Sequence, residues 1–174
     1  MAKPFLTLAV GISVVALLAI GVSASGSPDS KTAGPKKVRV TTLVLFGRDT
    51  VQTNVDNAPE GPSVGDERII TSPLFTKASG TKSVGRLDVH RVITSTDGAN
   101  TTVVDQISET LSRGQIVSAG SSTFSGPPGQ AEGDKATRSV LGGTGAYRLV
   151  RGELRTTTVG DNVTKLTHRF TRRR

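Results

Sequence analysis

The chain has 174 residues, a length that suggests one domain, and its lack of cysteine excludes both disulfides and a lipid on a cleavage-site cysteine. Its 22 Lys and Arg exceed its 14 Asp and Glu, which suggests contact with a polyanion. Only 3% of residues are aromatic, so few side chains could stack on nucleic-acid bases, and we expect no nucleic-acid partner. Contact with anionic polymers or lipid head groups stays an open alternative.

The N-terminal segment, residues 1–24, is typical of a secretory signal peptide. One lysine precedes an apolar run of about 18 residues, and small residues follow at the expected cleavage site after Ala24. The sequence therefore predicts a secreted protein, with a retained membrane anchor as the alternative. Residues 25–37 are small, polar and proline-bearing, which favours a flexible linker, and residues 38–174 form the predicted folded domain.

From Val38 onward the apolar residues recur with a period of two, which is typical of strands. In "SVGRLDVHRVIT", for example, Leu87 and Val89 alternate with Asp88 and His90. Turn signals such as "DGAN" separate the alternating segments about every ten residues, and no segment has the pattern of an amphipathic helix. These features predict an all-β sandwich or barrel.

The stretch "SVLGGTGAYRLVRGEL" holds three glycines within four residues, Gly142, Gly143 and Gly145. A phosphate-binding loop would need a lysine after the last glycine and then a helix, and neither is indicated here. We therefore expect the glycines to allow positive φ angles in a close turn, after which the chain enters a new strand at Ala146.

The same stretch resembles the "VVGGTGxFRxARG" signature of dirigent proteins and the related allene oxide cyclase barrels. "SPLFTKASGTKSVGR" and "RGQIVSAGSSTF" resemble two further family segments in the same order. The resemblance implies a calycin-like, eight-stranded antiparallel up-and-down β-barrel with a largely apolar lumen, and a homotrimer or another homo-oligomer. Plant dirigent members steer phenoxy-radical coupling, but the family's paired aspartates are Thr71 and Ser72 here, which argues against that chemistry.

Two residue pairs are candidate ligand-binding residues. Tyr147 and Arg151 match the family signature and lie four residues apart, so on one strand they would share a face. If that face is the lumen, they could orient a carboxylate or carbonyl at its polar end. The alternative is that Arg151 is a buried arginine that holds the barrel rim through backbone carbonyls. Asp88 and His90 also share a face, and are either an acid–base pair or solvent-facing residues opposite the core. His168, between apolar neighbours, is interpreted as a packed residue.

The predicted function is binding of a small, largely apolar molecule in the lumen, with or without guidance of its cyclisation or coupling. If the protein is an enzyme, we expect a cofactor-independent cyclase, an isomerase-like protein or a dirigent-like protein. With two histidines and no cysteine, we expect neither a metal site nor a cofactor. The alternative is a non-catalytic secreted barrel, a structural or interaction protein whose basic surface contacts anionic polymers or membranes.

Overall fold

The computed structural model describes residues 39–57, 59–126, 128, 131–160 and 162–172, without the side chains of the first and last of these. The predicted signal peptide, its cleavage site and the linker lie outside the described residues, so secretion stays a prediction. No helix within the described ranges is long and apolar enough to cross a membrane.

Nine strands and one short 3₁₀ turn make up the regular structure of the described residues. In chain order they are β1 (Arg39–Gly47), β2 (Val51–Val55), β3 (Glu67–Phe75), β4 (Gly85–Thr96), β5 (Asn100–Leu111), β6 (Gly114–Ser125), β7 (Lys135–Gly143), the 3₁₀ turn (Gly145–Tyr147), β8 (Arg151–Gly160) and β9 (Val163–Arg172).

The strands form one antiparallel sheet that closes into a barrel. From β3 to β9 each strand pairs with the next along the chain, and β9 pairs with β1. The barrel closes where β1 meets β3, through the pairs Phe46–Phe75 and Gly47–Leu74. The short strand β2 continues along the same edge of β3 as an extra strand. The predicted all-β, eight-stranded antiparallel barrel is therefore confirmed.

Alternation along the strands decides which side chains fill the barrel. On β4, Leu87 and Val89 are buried inside while His90 is exposed, as the period of two predicts. The lumen is packed at the end where β7 ends and β8 begins. Each fully buried leucine or phenylalanine there contributes about 1.5–3 kcal/mol of transfer free energy. This core cluster comprises Leu45, Leu74, Leu87, Val89, Ile107, Ile116, Val140, Val150, Leu154, Leu166 and Phe170.

The glycine-rich turn serves the backbone, but each glycine does so for its own reason. Gly142 and Gly145 have φ angles of 140° and 55°, which favour glycine. Gly143 does not have a positive φ; instead, a Cβ there would overlap the carbonyl oxygen of Gln115 on β6 and lie 3.1 Å from Tyr147 Cβ. The expectation of a positive φ at Gly143 was thus wrong. A glycine is needed there because a side chain would clash, not because of the backbone torsion angle.

The strand predicted to start at Ala146 begins five residues later. The chain first makes the 3₁₀ turn, closed by a hydrogen bond from the Tyr147 amide to the Thr144 carbonyl at 2.9 Å, and enters β8 only at Arg151. Tyr147 and Arg151 therefore do not share a strand face.

Candidate functional site

A cavity of about 610 Å³ lies in the lumen beside the core cluster. It lies toward the β1–β2, β6–β7 and β8–β9 connections, which contribute Thr50, Asp134 and Asn162 to its lining. Its apolar walls are formed by side chains that face inward from the strands: Ile70, Leu87, Val89, Ile107, Phe124 and Leu166. Its polar walls include Arg68, Ser72, Arg91, Arg138, Thr156 and Thr158.

The polar side of the cavity is organised by a buried carboxylate, Asp105, which is 0% exposed. Arg91 donates from Nε to its Oδ1 at 2.7 Å and from Nη2 to its Oδ2 at 3.1 Å. Arg138 also donates to Oδ2 through its Nη2. The three residues come from inward positions of β4, β5 and β7, so an ionic cluster lies inside the barrel.

Most of the other nitrogens of the cavity arginines donate to neighbouring backbone carbonyls and side chains. Arg91 Nη1 and Arg68 Nη1 donate to the Pro128 carbonyl at 2.9 and 3.2 Å, and Arg138 Nη1 donates to Thr156 Oγ1 at 2.9 Å. The Arg91 guanidinium also lies 5.4 Å from the ring centre of Phe124, in cation–π range. Arg138 Nε is buried and donates to no described residue.

Burial and charge pull the pKa values of this cluster in opposite directions. Burial by itself would raise the pKa of Asp105, but the hydrogen bonds and charges of Arg91 and Arg138 outweigh it and hold that pKa below its usual value. Burial lowers the pKa values of Arg138 and Arg68; the charge of Asp105 opposes this lowering and the charge of Arg91 adds to it. Guanidiniums remain protonated despite such shifts, so the cluster is a set of permanent positive charges around one carboxylate.

A second buried pair lies beyond the apolar floor of the cavity. His168 Nε2 is 2.7 Å from Glu109 Oε2, and both side chains are 0% exposed. The contact has the distance of an ion pair without the angles of a hydrogen bond, and the other polar atoms, Glu109 Oε1 and His168 Nδ1, have no partner among the described residues. The His168 ring stacks on Phe170 at 5.2 Å. The interpretation of His168 as a packed residue agrees with this burial; its carboxylate neighbour was not anticipated.

The predicted pair Asp88 and His90 lies on the outer face of β4, as the solvent-facing interpretation expects. Arg86 Nε donates to Asp88 at 2.9 Å, and His90 Nε2 lies 2.7 Å from Glu67 Oε2. Asp88 also accepts from Thr71 Oγ1 at 3.1 Å. Neither residue lines the cavity, so the two do not form an acid–base pair within it.

Tyr147 and Arg151 lie at the opposite end of the barrel from the cavity and do not line it. Tyr147 packs partly buried against the core cluster, with its ring 6.3 Å from that of Phe170. Arg151 is exposed, and its Nη1 donates to the Val150 carbonyl at 2.8 Å. Placing these residues at the polar end of the lumen was wrong, because the 3₁₀ turn interrupts the predicted strand.

The arginines that do line the cavity were missed, although the alternation pattern contained the signal. Arg91 continues the inward series of Leu87 and Val89 on β4. Arg138 likewise falls between the inward residues Ala136 and Val140 of β7. A charged residue at an inward position of a predicted strand is therefore the feature that would have indicated the site.

Thr71 and Ser72, the residues at which the resemblance leads one to expect paired aspartates, lie on opposite faces of β3. Ser72 faces inward and lines the cavity, and its Oγ lies 2.6 Å from Thr50 Oγ1. Thr71 faces outward and donates a hydrogen bond to Asp88. The described residues contain no group of three or more histidine, aspartate or glutamate side chains placed to hold a metal ion.

No family model and no curated protein matches the sequence. The fold is similar to several solved structures. A pyocyanin demethylase is 23% identical with a TM-score of 0.62, covering 75% of this chain and 99% of that one. The pterocarpan synthase dirigent protein GePTS1 is 18% identical with a TM-score of 0.59, covering 86% and 98%. The Diels-Alderase AbmU from Streptomyces koyangensis is 17% identical with a TM-score of 0.59, covering 78% and 64%. At these identities the similarity shows the barrel fold alone.

Proposed function

We propose that the barrel binds a small organic molecule with an apolar body in its lumen. The observation that carries this proposal is the cavity of about 610 Å³, a volume within the range of about 300–1,000 Å³ that small-molecule sites occupy. An eight-stranded barrel either fills its interior with side chains or holds one small ligand. Because the lumen keeps this cavity beside its packed core, binding is favoured over a purely structural role.

The walls of the cavity suit a molecule with one apolar and one polar part. Leu87, Ile107 and Leu166 offer an apolar floor, while the arginine cluster offers fixed donors on the other side. Such a site can hold a flexible molecule in one folded conformation and thereby favour its cyclisation or coupling. The barrels named for Diels-Alder and pterocarpan synthase reactions share this fold, which supports testing cyclisation once a ligand is known.

Ser72 supports binding or shape-guided cyclisation over radical coupling of the plant dirigent kind. At this wall position the side chain is a hydroxyl engaged with Thr50, not a carboxylate that could accept a proton at neutral pH. The only carboxylate within the arginine cluster, among described residues, is Asp105, and its two oxygens are already bound by guanidiniums.

Titration with the neutral fluorescent probe N-phenyl-1-naphthylamine tests the proposal. The probe brightens in apolar surroundings, so we expect saturable binding to the folded protein. Ile70→Trp should weaken binding about tenfold, about 1.4 kcal/mol, because the larger side chain occupies the cavity. Ile69→Trp is the matched control, since Ile69 is the neighbouring residue on the outer face of β3 and is 49% exposed.

The two variants separate binding in the lumen from binding to the outside of the barrel. Absence of saturable binding by the unmodified protein would contradict the proposal. Equal weakening of probe binding by Ile70→Trp and Ile69→Trp would also contradict it. Only Ile70 lines the cavity, so a probe bound there should respond to the Ile70 variant alone.

A further inference from the structure

We propose that the ligand of the cavity is an organic monoanion, an apolar molecule with one carboxylate that Arg68 binds beside the buried charge of Arg138. This inference rests on the proposed lumenal binding and adds the chemical class of the ligand. It derives from the charges, unpaired donors and apolar floor of the cavity described above.

The charges that line the cavity do not balance. Three guanidiniums, those of Arg68, Arg91 and Arg138, surround it. Asp105 neutralises one of them from within the cluster. Asp134 also lines the cavity, but its Oδ2 accepts the Ala131 amide at 3.1 Å, and no arginine of the described residues lies within ion-pair distance of it. Even counting both carboxylates, one positive charge is left, which a single negative charge would neutralise.

Arg138 adds a buried positive charge to the wall of the cavity. Its side chain is 1% exposed, and its Nη1 and Nη2 donate to Thr156 and Asp105. Its Nε is buried with no hydrogen-bond partner among the described residues and with no surface open to a ligand, so Arg138 acts on a ligand through its charge. A carboxylate suits such a wall because the guanidinium charges around the cavity exceed the carboxylates that neutralise them.

Arg68 provides an accessible donor on the same cavity. It is half-buried, with contacts at 3.2 Å from Nε to Asn54 Oδ1 and from Nη1 to the Pro128 carbonyl, and its Nη2 donates to no described residue. These contacts are at the long end of the hydrogen-bond range, so the guanidinium can turn toward an anion at little cost. The apolar body of the ligand would then lie against Ile107 and Leu166.

The inference is tested by displacing N-phenyl-1-naphthylamine with decanoate and with 1-decanol, which share a chain and differ in charge. We expect decanoate to displace the probe at a concentration at least about tenfold lower, about 1.4 kcal/mol, since the carboxylate accepts charge-assisted hydrogen bonds from a guanidinium and the alcohol does not carry the charge. Arg68→Gln should abolish most of this preference, measured as the ratio of the decanoate and 1-decanol concentrations that displace half of the probe, so that a change in probe affinity affects both equally. Arg155→Gln is the control, because it removes the same formal charge from an exposed position on β8.

The outcomes distinguish this inference from the proposed function. Probe binding with no preference for decanoate would overturn the inference and leave lumenal binding standing. Loss of the preference in Arg155→Gln as well would overturn it too, because net charge rather than the cavity would then attract the anion. Failure of the unmodified protein to bind the probe would contradict the proposed function itself. The comparison of the two displacing molecules on the unmodified protein holds even if Arg68→Gln does not fold.

Discussion

Replacing Gly143 by alanine is expected to lower the free energy of unfolding by about 2–4 kcal/mol. The added Cβ would overlap the carbonyl oxygen of Gln115, which also accepts the Thr144 amide at 3.0 Å. The alanine cannot move away, since Tyr147 Cβ lies 3.1 Å from the built Cβ position. Gly143 has no positive φ, so torsional strain contributes nothing to the expected loss.

The magnitude follows from two separate costs. Forcing a methyl group into a packed site costs about 1–3 kcal/mol, and losing the backbone hydrogen bond costs about 1 kcal/mol. For a domain of this size, 1 kcal/mol corresponds to about 3–4 °C in melting temperature. Thermal unfolding followed by far-UV circular dichroism should therefore show a decrease in melting temperature of about 6–16 °C.

Gly98→Ala is the matched control for this experiment. Gly98 has a φ of 85° but no atom within 4 Å of a built Cβ, so alanine there meets torsional strain without a clash. Its expected cost is about 1–2 kcal/mol. The steric argument would be refuted if the melting temperature of Gly143→Ala equalled that of the unmodified protein or were no lower than that of Gly98→Ala.

Two further predictions concern the buried charges. Asp105→Asn should destabilise the protein by about 3–5 kcal/mol in urea unfolding at pH 7, because two buried guanidiniums lose their counter-charge. The pKa of Asp105 is lower in the folded than in the unfolded chain, so its stabilisation is present above the unfolded pKa of about 3.9 and is lost as the pH falls through the folded pKa. The stability difference between the two proteins should thus narrow below about pH 4, and a difference that stays constant at lower pH would contradict the assignment. For the second pair, Glu109→Leu and His168→Leu should each lower the free energy of unfolding. The double variant should be at least as stable as the less stable single variant, which corresponds to a coupling energy of about 1–3 kcal/mol. Strictly additive losses in this cycle would show that the two side chains do not stabilise each other.

The amino-acid sequence by itself indicated an all-β chain and, on β4, the inward face of the strand, because a period of two is a local property that survives in any sheet. It also indicated that the glycine-rich stretch serves the backbone, since no lysine and no amphipathic helix pattern follow the glycines. It did not reveal the 3₁₀ turn at Gly145–Tyr147, because Tyr147, Leu149 and Arg151 have the spacing of two that suits a strand. That local error misplaced Tyr147 and Arg151.

Only the tertiary structure decided which inward residues meet. Asp105 and Arg138 are 33 residues apart in the sequence and lie on β5 and β7, which do not pair with each other. Glu109 and His168 come from β5 and β9, further apart in the sheet, and approach each other across the lumen. Alternation places each of these side chains inside, but their contact depends on how the sheet curls and closes. The cavity has the same origin, because the space left in a barrel depends on the summed volumes of side chains from every strand.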